Sequence, residues 1–220
     1  STRTGGLLGI HDLRQLRADT GWMTDALIDY AVTVYGGATG ALRNHVLWLA
    51  PAVVSAGKDG NQGAFDNSIA AALGAPAFKL DDPAVDLPQH AKAVLFPVNT
   101  SESHWSLLVL YHVETPQQNA PPLKTREFVH YDSLGQSNDA AATALLQKLL
   151  DNNYLSQLPV FSKPNALVQQ VDGYNCGLYV AQFARKIMEV GRKLNGGEVG
   201  AGTSPSCDTL RAQILTALEP

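Results

Sequence analysis

Two short runs of nearly continuous apolar residues, at 93–96 and 105–111, constrain the fold of this chain more than any other feature. A strand with one face in water alternates apolar and polar residues, so unbroken runs of this length predict strands that are buried on both faces. The same reasoning predicts further strands at 127–131 and 159–161. Residues 114–125, which include three prolines, are predicted to form a polar loop between the second and third strands.

Segments with helical periodicity lie on both sides of these runs. They are 11–35, 65–73, 140–150, 176–190 and 210–218. In the first segment, Thr24 is a candidate N-cap and Gly36-Gly37 a candidate end of the helix. Residues 44–54 are apolar but fit a short strand as well as a helix. These elements predict an α+β fold, a small central mixed sheet flanked by helices, in a single domain over 1–220 with its core at about 11–192.

The composition excludes several classes of function. Hydrophobic residues make up 45% of the 220 residues and charged residues 16%, as in ordinary globular proteins. The 20 acidic residues outnumber the 16 basic ones, and the formal net charge of −4 provides no basic field for nucleic acid or anionic lipid. No apolar run approaches the roughly 18 residues of a membrane span. We therefore expect no nucleic-acid partner and no membrane partner.

The cysteine count and the absence of cofactor motifs limit the chemistry further. Cys176 and Cys207 are too few for a disulfide scaffold and lack the spacing of a zinc site, which fits a reducing compartment. The sequence has no metal-ligand motif, and its glycine-rich segment 36–40 lacks the lysine of a phosphate loop. We expect neither a metal nor another cofactor.

Cys176 is the better candidate for a nucleophile, because it begins a predicted helix in Gly173-Tyr174-Asn175-Cys176-Gly177. The N-terminus of a helix favours the thiolate, which is the reactive form of cysteine. The alternative reading is a small buried cysteine on an amphipathic helix. Cys207 lies in a loop or N-cap setting and is interpreted as structural or incidental, although a disulfide between the two cysteines is conceivable.

A cysteine nucleophile needs an imidazole base and a group that orients the base. All six histidines precede Cys176, so the papain order of cysteine before histidine is impossible here. His104 ranks first because it stands at the start of a strand beside a polar loop, and His130 ranks second. Asp132 ends the third predicted strand and would lie beside His104 if the two strands pair. Its alternative role is that of an ordinary turn aspartate.

Four separated motifs resemble those of the ubiquitin-like-protein proteases, the Ulp-type and adenain-like cysteine peptidases that cut after the terminal Gly-Gly of small modifiers. The motifs are Trp22-Met23-Thr24-Asp25, His104-Trp105, His130-Tyr131-Asp132-Ser133-Leu134, and Gln169-Gln170 followed by Asn175-Cys176-Gly177. The resemblance spans about 22–190. One departure is visible, since Asn175 stands where most relatives have an aspartate.

The resemblance implies a role for each matched residue. His104, Asp132 and Cys176 correspond to the catalytic triad, and Gln170, six residues before the cysteine, corresponds to the glutamine of the oxyanion hole. In a further assignment of the same kind, Trp22 and Trp105 correspond to the walls of a tunnel for the Gly-Gly tail. Asp25 corresponds to a contact with an arginine of the bound modifier. Trp48 matches no such position and is expected in the core.

Among these proteases the deneddylase branch is the most similar, because it shares the residue pattern around His104 and His130 and a later Ser137-Asn138 pair. The expected partners are therefore the cullin modifier, with SUMO or ubiquitin as alternatives on the same scaffold, and their conjugates. Other hypotheses are a YopJ-like acetyltransferase and a non-catalytic modifier-binding module. We expect a monomer in the cytoplasm or nucleus, or in the host cytosol if the source is a bacterial effector.

Overall fold

The protein is described from a computed structural model that covers residues 8–18, 20–35, 42–43, 45–51, 54, 69–73, 79–100, 104–164, 167, 169–195, 198 and 206–218. Its centre is one mixed sheet of six strands in the order β1-β2-β3-β4-β5-β6. The strands are β1 (Leu42–Arg43), β2 (Val46–Trp48), β3 (Ala93–Thr100), β4 (His104–Gln117), β5 (Ala120–Tyr131) and β6 (Phe161–Ser162). The pairs β2–β3 and β5–β6 are parallel, and the other three pairs are antiparallel.

Helices lie against both faces of this sheet. They are α1 (Ile10–Arg17), α2 (Asp25–Tyr30), α3 (Asp139–Asp151), α4 (Cys176–Val190) and α5 (Cys207–Leu218). A π-helical turn at Ala31–Tyr35 continues α2, a 3-10 turn occupies Pro88–His90, and residues 69–73 are helical. Within the described residues, no helix has both the length and the apolar character needed to cross a bilayer.

The alternation of side chains along the central strands divides the core into two clusters. Leu107 and Val109 of β4 pack toward α1, α2, α4 and α5, whereas Leu108 and Leu110 pack toward α3 and the helical residues 69–73. All four side chains are fully buried. The predicted α+β fold and the burial of both faces are therefore confirmed.

The N-terminal helix differs from its prediction. The segment predicted to be helical at 11–35 is divided into α1 and α2, with an extended stretch around Trp22 between them. Thr24 caps α2 as predicted, since its hydroxyl accepts a hydrogen bond from the backbone N–H of Leu27 at 3.3 Å. The predicted end at Gly36-Gly37 lies outside the described residues. Gly21 lies in the break, where a Cβ would be 1.8 Å from the carbonyl oxygen of Gln15, so only glycine allows this close approach.

The prediction of a polar loop at 114–125 is wrong. β4 and β5 continue past the sheet as an exposed two-stranded ribbon that turns at residues 118–119. Asn119 supplies the positive φ of 62° that such a tight turn requires. The pairing is interrupted between Thr115 and Gln117, next to the prolines. The prolines are tolerated because the ribbon has no third strand that needs their missing N–H groups.

Candidate active site

The antiparallel pairing of β4 with β5 brings the start of one strand beside the end of the other. Leu107 lies opposite Tyr131, so His104 at the start of β4 and Asp132 just after β5 come together. The His104 ring nitrogen Nε2 is 2.6 Å from the Asp132 carboxylate oxygen Oδ1. Both side chains are buried. The structure therefore places the predicted base and its predicted orienting carboxylate in direct contact.

The turn that follows β5 holds the Asp132 carboxylate in its ionised form. Backbone N–H groups of Leu134 and Asn138 donate hydrogen bonds to it, each at 2.9 Å. Burial raises the pKa of Asp132, but the hydrogen bonds from His104, Asn138 and Leu134 outweigh burial and lower this pKa to about 2. Asp132 therefore carries a full negative charge at neutral pH.

Cys176 is the first residue of α4 and lies beside His104. Its exposed fraction is 1%, which means that the thiol is closed off from bulk water. Burial lowers the pKa of His104, whereas hydrogen bonds and charge interactions with Asp132 and Cys176 raise it, with a net result of about 9. The second ring nitrogen of His104, Nδ1, makes no hydrogen bond of normal geometry among the described residues. That nitrogen is left to exchange a proton with the thiol.

Gln170 lies next to the turn that follows β5, and both its backbone and its side chain make hydrogen bonds there. Its backbone N–H donates to the carbonyl of Ser133 at 2.8 Å, and the Ser133 hydroxyl donates to its side-chain oxygen at 2.9 Å. The amide nitrogen Nε2 donates to the carbonyl of Asp172 at 2.7 Å and to Oδ1 of Asp172 at 3.1 Å. A substrate oxyanion that binds this amide therefore has to compete with Asp172 for it.

A hydrogen bond joins the Trp22–Asp25 motif to Trp105, the residue that follows His104. The indole N–H of Trp105 donates to the carbonyl of Met23 at 3.0 Å, and Trp105 is buried with a 3% exposed fraction. Trp22 is partly buried against the same cluster, and Asp25 begins α2. Trp48 is in the core as expected, with its indole N–H 2.9 Å from Asp29.

Gly177 makes the close approach between this motif and α4 possible. A Cβ at this position would be 2.4 Å from the Cβ of Met23. The glycine therefore lets the side chain of Met23 pack directly against the first turn of α4, next to Cys176.

His130, the second-ranked base, has no free nitrogen. Its Nδ1 is 2.9 Å from Asp139 and its Nε2 is 2.8 Å from the hydroxyl of Ser106. Burial lowers the pKa of His130 and outweighs the opposing hydrogen bond to Asp139. His130, Asp132 and Asp139 form the one cluster of described residues that is spaced for a metal ion, but the existing hydrogen bonds already use both nitrogens of the histidine. The cluster therefore has no imidazole nitrogen available to a metal.

The two cysteines are both free. Cys207 begins α5, where burial raises the pKa of its thiol to about 11. The neutral thiol that results at physiological pH is a poor nucleophile.

Three residues that sequence reasoning gave no role are part of the site's framework. Asn138 is fully buried, and its amide donates to the carbonyl of Val98 at 3.1 Å and to the hydroxyl of Ser106 at 2.8 Å. Asp172 and Arg211 organise the segment before Cys176. The Ser137-Asn138 pair was noticed as a pattern, but no local signal identifies Arg211, because its contacts depend on how α5 packs.

Comparisons with known proteins match both the sequence and the fold. Residues 75–193 match the sequence model of the Ulp1 protease family, C-terminal catalytic domain. The chain is similar to the solved structure of the Xanthomonas campestris effector protein XopD bound to ubiquitin, with 20% identity, 90% of this chain and 92% of that chain covered, and a TM-score of 0.60. It is also similar to the C-terminal Ulp1 protease domain in complex with Smt3, the yeast ortholog of SUMO, with 16% identity, 94% and 80% covered, and a TM-score of 0.55. A comparison with curated proteins gives no significant match.

Proposed function

The chain belongs to the Ulp1 protease family of cysteine proteases, and we propose that it cleaves peptide and isopeptide bonds after the C-terminal Gly-Gly of a ubiquitin-like modifier. The observation that carries the proposal is the buried contact of His104 with Asp132 beside a cysteine at the start of a helix. These are the three groups that a thiol protease needs, in one place.

In the proposed mechanism Asp132 orients His104, and His104 takes the proton of the Cys176 thiol. The thiolate attacks the carbonyl carbon of the terminal glycine. The bond to the lysine amine then breaks, and His104 donates its proton to the leaving nitrogen. Water, deprotonated by His104, attacks the resulting thioester, which releases the modifier's carboxylate and restores the thiol. The raised pKa of His104 fits a base that holds the thiol proton through the first step.

The tetrahedral intermediate would place its oxyanion between the backbone N–H of Cys176 and the side-chain amide of Gln170. The amide of Gln170 already has two hydrogen-bond acceptors on Asp172 in the absence of substrate, its backbone carbonyl and Oδ1. Binding of the carbonyl group would replace one existing hydrogen bond rather than order a free side chain.

The burial of Cys176 supports selection of a glycine tail. Because the thiol has an exposed fraction of 1%, only a thin segment can reach it. Glycine lacks the Cβ that would collide with aromatic walls, and Trp105 and Trp22 are the proposed walls. Recognition of one modifier would then depend on contacts with its folded surface, including Asp25.

Two similar structures support a ubiquitin-like modifier as the substrate, since one holds ubiquitin and the other holds Smt3. The finer proposal is that this protein is a deneddylase, which prefers the cullin modifier. It is supported by the sequence pattern around His104 and His130 and by the Ser137-Asn138 pair.

Probes built on the cullin modifier, SUMO and ubiquitin test the proposal when each carries an electrophile in place of the C-terminal carboxylate. We expect at least one probe to form a covalent adduct, and mass spectrometry should locate it on Cys176. The Cys176→Ala variant should form none, while the matched Cys207→Ala variant should react like the wild type. Absence of any adduct, or an adduct on another residue, contradicts the proposal, and an acetyl-enzyme formed from acetyl-CoA would favour the acetyltransferase hypothesis.

A further inference from the structure

Arg211 connects the last helix to both segments that surround the nucleophile. It lies in α5 and is buried, with an exposed fraction of 6%. One guanidinium nitrogen donates to the carbonyls of Gln15, Leu16 and Ala18 at 3.1–3.3 Å. The other donates to the carbonyl of Gly21 at 2.8 Å and to the side-chain oxygen of Asn175 at 3.0 Å. Gly21 precedes Trp22, and Asn175 precedes Cys176.

The side chain of Asn175 links Arg211 to Asp172, which in turn bonds to Gln170. Asn175 occupies the N-cap position of α4, but its side chain makes no capping hydrogen bond. Its oxygen accepts from Arg211, and its amide nitrogen donates to Oδ2 of Asp172 at 3.0 Å. The other oxygen of Asp172, Oδ1, accepts from the amide of Gln170 and from the backbone N–H groups of Tyr174 and Asn175. A continuous chain of hydrogen bonds therefore runs from α5 to Gln170.

Burial disfavours the charged form of Arg211, and the groups around the guanidinium compensate for only part of this effect. All five acceptors are neutral oxygens of carbonyl or amide groups. Burial lowers the pKa of the guanidinium, and nearby groups on α5 and in the Asp172 loop oppose this effect. The five hydrogen bonds tie the segments before Trp22 and before Cys176 to the same guanidinium group.

We propose that Arg211 is a positioning residue that sets the placement of Cys176 and Gln170 through the Asn175–Asp172 pair. The proposal rests on the proposed function for the role of Gln170. Position 175 needs one acceptor facing Arg211 and one donor facing the Asp172 carboxylate, and the amide of Asn175 supplies both, whereas a carboxylate offers acceptors only.

This geometry predicts strong coupling between positions 172 and 175. In Asn175→Asp, two carboxylates face each other at the present 3.0 Å separation, and Asp172 is pushed away from Gln170. In Asp172→Asn, the new amide nitrogen faces that of Asn175, and two donors cannot bond. In the double swap, the asparagine at 172 donates to the aspartate at 175, whose second oxygen still accepts from Arg211. Every hydrogen bond of the chain is then kept, and only the bond between positions 172 and 175 has its donor and acceptor exchanged.

The experiment measures kcat on a modifier with a fluorogenic leaving group and the rate at which iodoacetamide alkylates Cys176, followed by mass spectrometry of its peptide. We expect each single swap to lower kcat at least about tenfold, because small displacements of catalytic groups have effects of this size, and the double swap to recover most of it. Alkylation should follow the same order. Losses that simply add in the double swap would overturn the proposal.

Removal of the arginine provides a second, independent test. We expect Arg211→Gln to lower kcat more than it changes KM and to slow alkylation of Cys176, at a temperature where the variant is folded. Arg192→Gln is the matched control, because Arg192 is exposed and pairs with Glu198 away from the site. If Arg211→Gln behaves like this control, or changes KM alone, the residue does not position the site. If the Arg211→Gln variant does not fold, the substitutions at positions 172 and 175 test the proposal instead, because they keep Arg211.

The two proposals fail in different ways. If no modifier probe reacts with the wild-type protein, the proposed function fails. The alkylation rates need no modifier and still show whether Arg211 controls the reactivity of Cys176.

Discussion

Asp132 keeps its negative charge inside the protein because four groups donate hydrogen bonds to its carboxylate. They are the ring of His104, the backbone N–H groups of Leu134 and Asn138, and the hydroxyl of Ser137. The charge so maintained favours the protonated ring and helps to raise the pKa of His104, so that the imidazole is a stronger base toward the thiol proton.

The raised pKa of His104 gives a pH prediction for stability. Its folded value of about 9 exceeds the ordinary 6.5, so protonation favours the folded state. The stabilisation is fully present below pH 6.5 and is lost as the pH rises toward 9. We expect the difference in free energy of unfolding between the wild type and His104→Gln to shrink over this range, as measured by urea unfolding.

The Cys176→Ala variant is the control for this experiment. It removes one of the groups that raise the pKa of His104. The loss of stabilisation should therefore occur at lower pH in that background. A difference that stays constant from pH 6.5 to 9 would show that His104 is neutral in the folded protein.

The Gln170 amide is the subject of a kinetic prediction. Replacement by alanine removes the proposed oxyanion donor, and the loss of one such donor usually lowers kcat about 10²–10³-fold. Two side-chain contacts with Ser133 and Asp172 are lost as well, so a modest decrease in stability is expected. Steady-state kinetics on a fluorogenic modifier substrate measure the effect.

Gln169→Ala is the matched control for Gln170→Ala. Gln169 is the exposed neighbour and bonds to the backbone of Leu167. We expect it to leave kcat nearly unchanged. If Gln170→Ala alters KM and not kcat, Gln170 binds substrate without stabilising the transition state.

At the scale of helices and strands, sequence patterns predicted correctly those elements whose bounds depend only on neighbouring residues. The helix predicted at 176–190 has the observed bounds, because its apolar residues recur at helical spacing and Gly191 ends it with a positive φ of 66°. The outer parts of β4 and β5, within residues 114–125, were missed because prolines usually mark loops. The break between α1 and α2 was missed because it depends on Gly21 fitting against Gln15, a contact that periodicity does not contain.

The packing of α4 against the Trp22–Met23 segment predicts the effect of a single methyl group. Gly177→Ala would bring a Cβ within 2.4 Å of the Met23 Cβ, so one of the two segments must shift. Overpacking of this kind typically costs about 1–3 kcal/mol. We expect a lower melting temperature and, because Met23 bonds to Trp105, a lower kcat/KM.

Gly173→Ala is the control for the packing effect, because no atom lies within 4 Å of the Cβ that it adds. It lies in the loop before α4, four residues from Gly177. Its melting temperature should match the wild type. Equal melting temperatures for both variants would mean that the Gly177 contact is not tight in solution.

At the scale of the whole molecule, the site combines residues that are far apart in the chain. His104, Asp132 and Gln170 were identified from motif order and spacing, and the contact of the first two followed from the predicted pairing of their strands. Arg211 was not identified, because its contact with Asn175 joins residues 36 positions apart and depends on the docking of α5. Sequence reasoning named the candidate reacting groups, which the structure brings together, and missed the buried residues that bond to the segments around them.

Modifier preference is also a property of the whole molecule, because it depends on exposed surfaces rather than on the buried site. The sequence pattern that suggests a deneddylase surrounds His104 and Asp132, which every protease of this kind must preserve. The surfaces available for recognition include Asp25 and the exposed ribbon of β4 and β5. A difference of about 1.4 kcal/mol in binding a modifier there already gives tenfold selectivity.

We expect the highest kcat/KM on the cullin modifier, with SUMO or ubiquitin second, when all three carry the same fluorogenic leaving group. Since the leaving group and the Gly-Gly tail are common to the three substrates, any difference reports on contacts with the folded part of each modifier. A shortened ribbon, with residues 115–123 replaced by a two-residue Asn-Gly turn, tests where these contacts lie, because Glu114 and Lys124, which flank the new turn, are already paired and the register of the central strands is kept. It should reduce the preference and leave the alkylation rate of Cys176 unchanged. A tenfold preference of the wild type for SUMO or ubiquitin would contradict the deneddylase assignment, while the chemistry at Cys176 would stand.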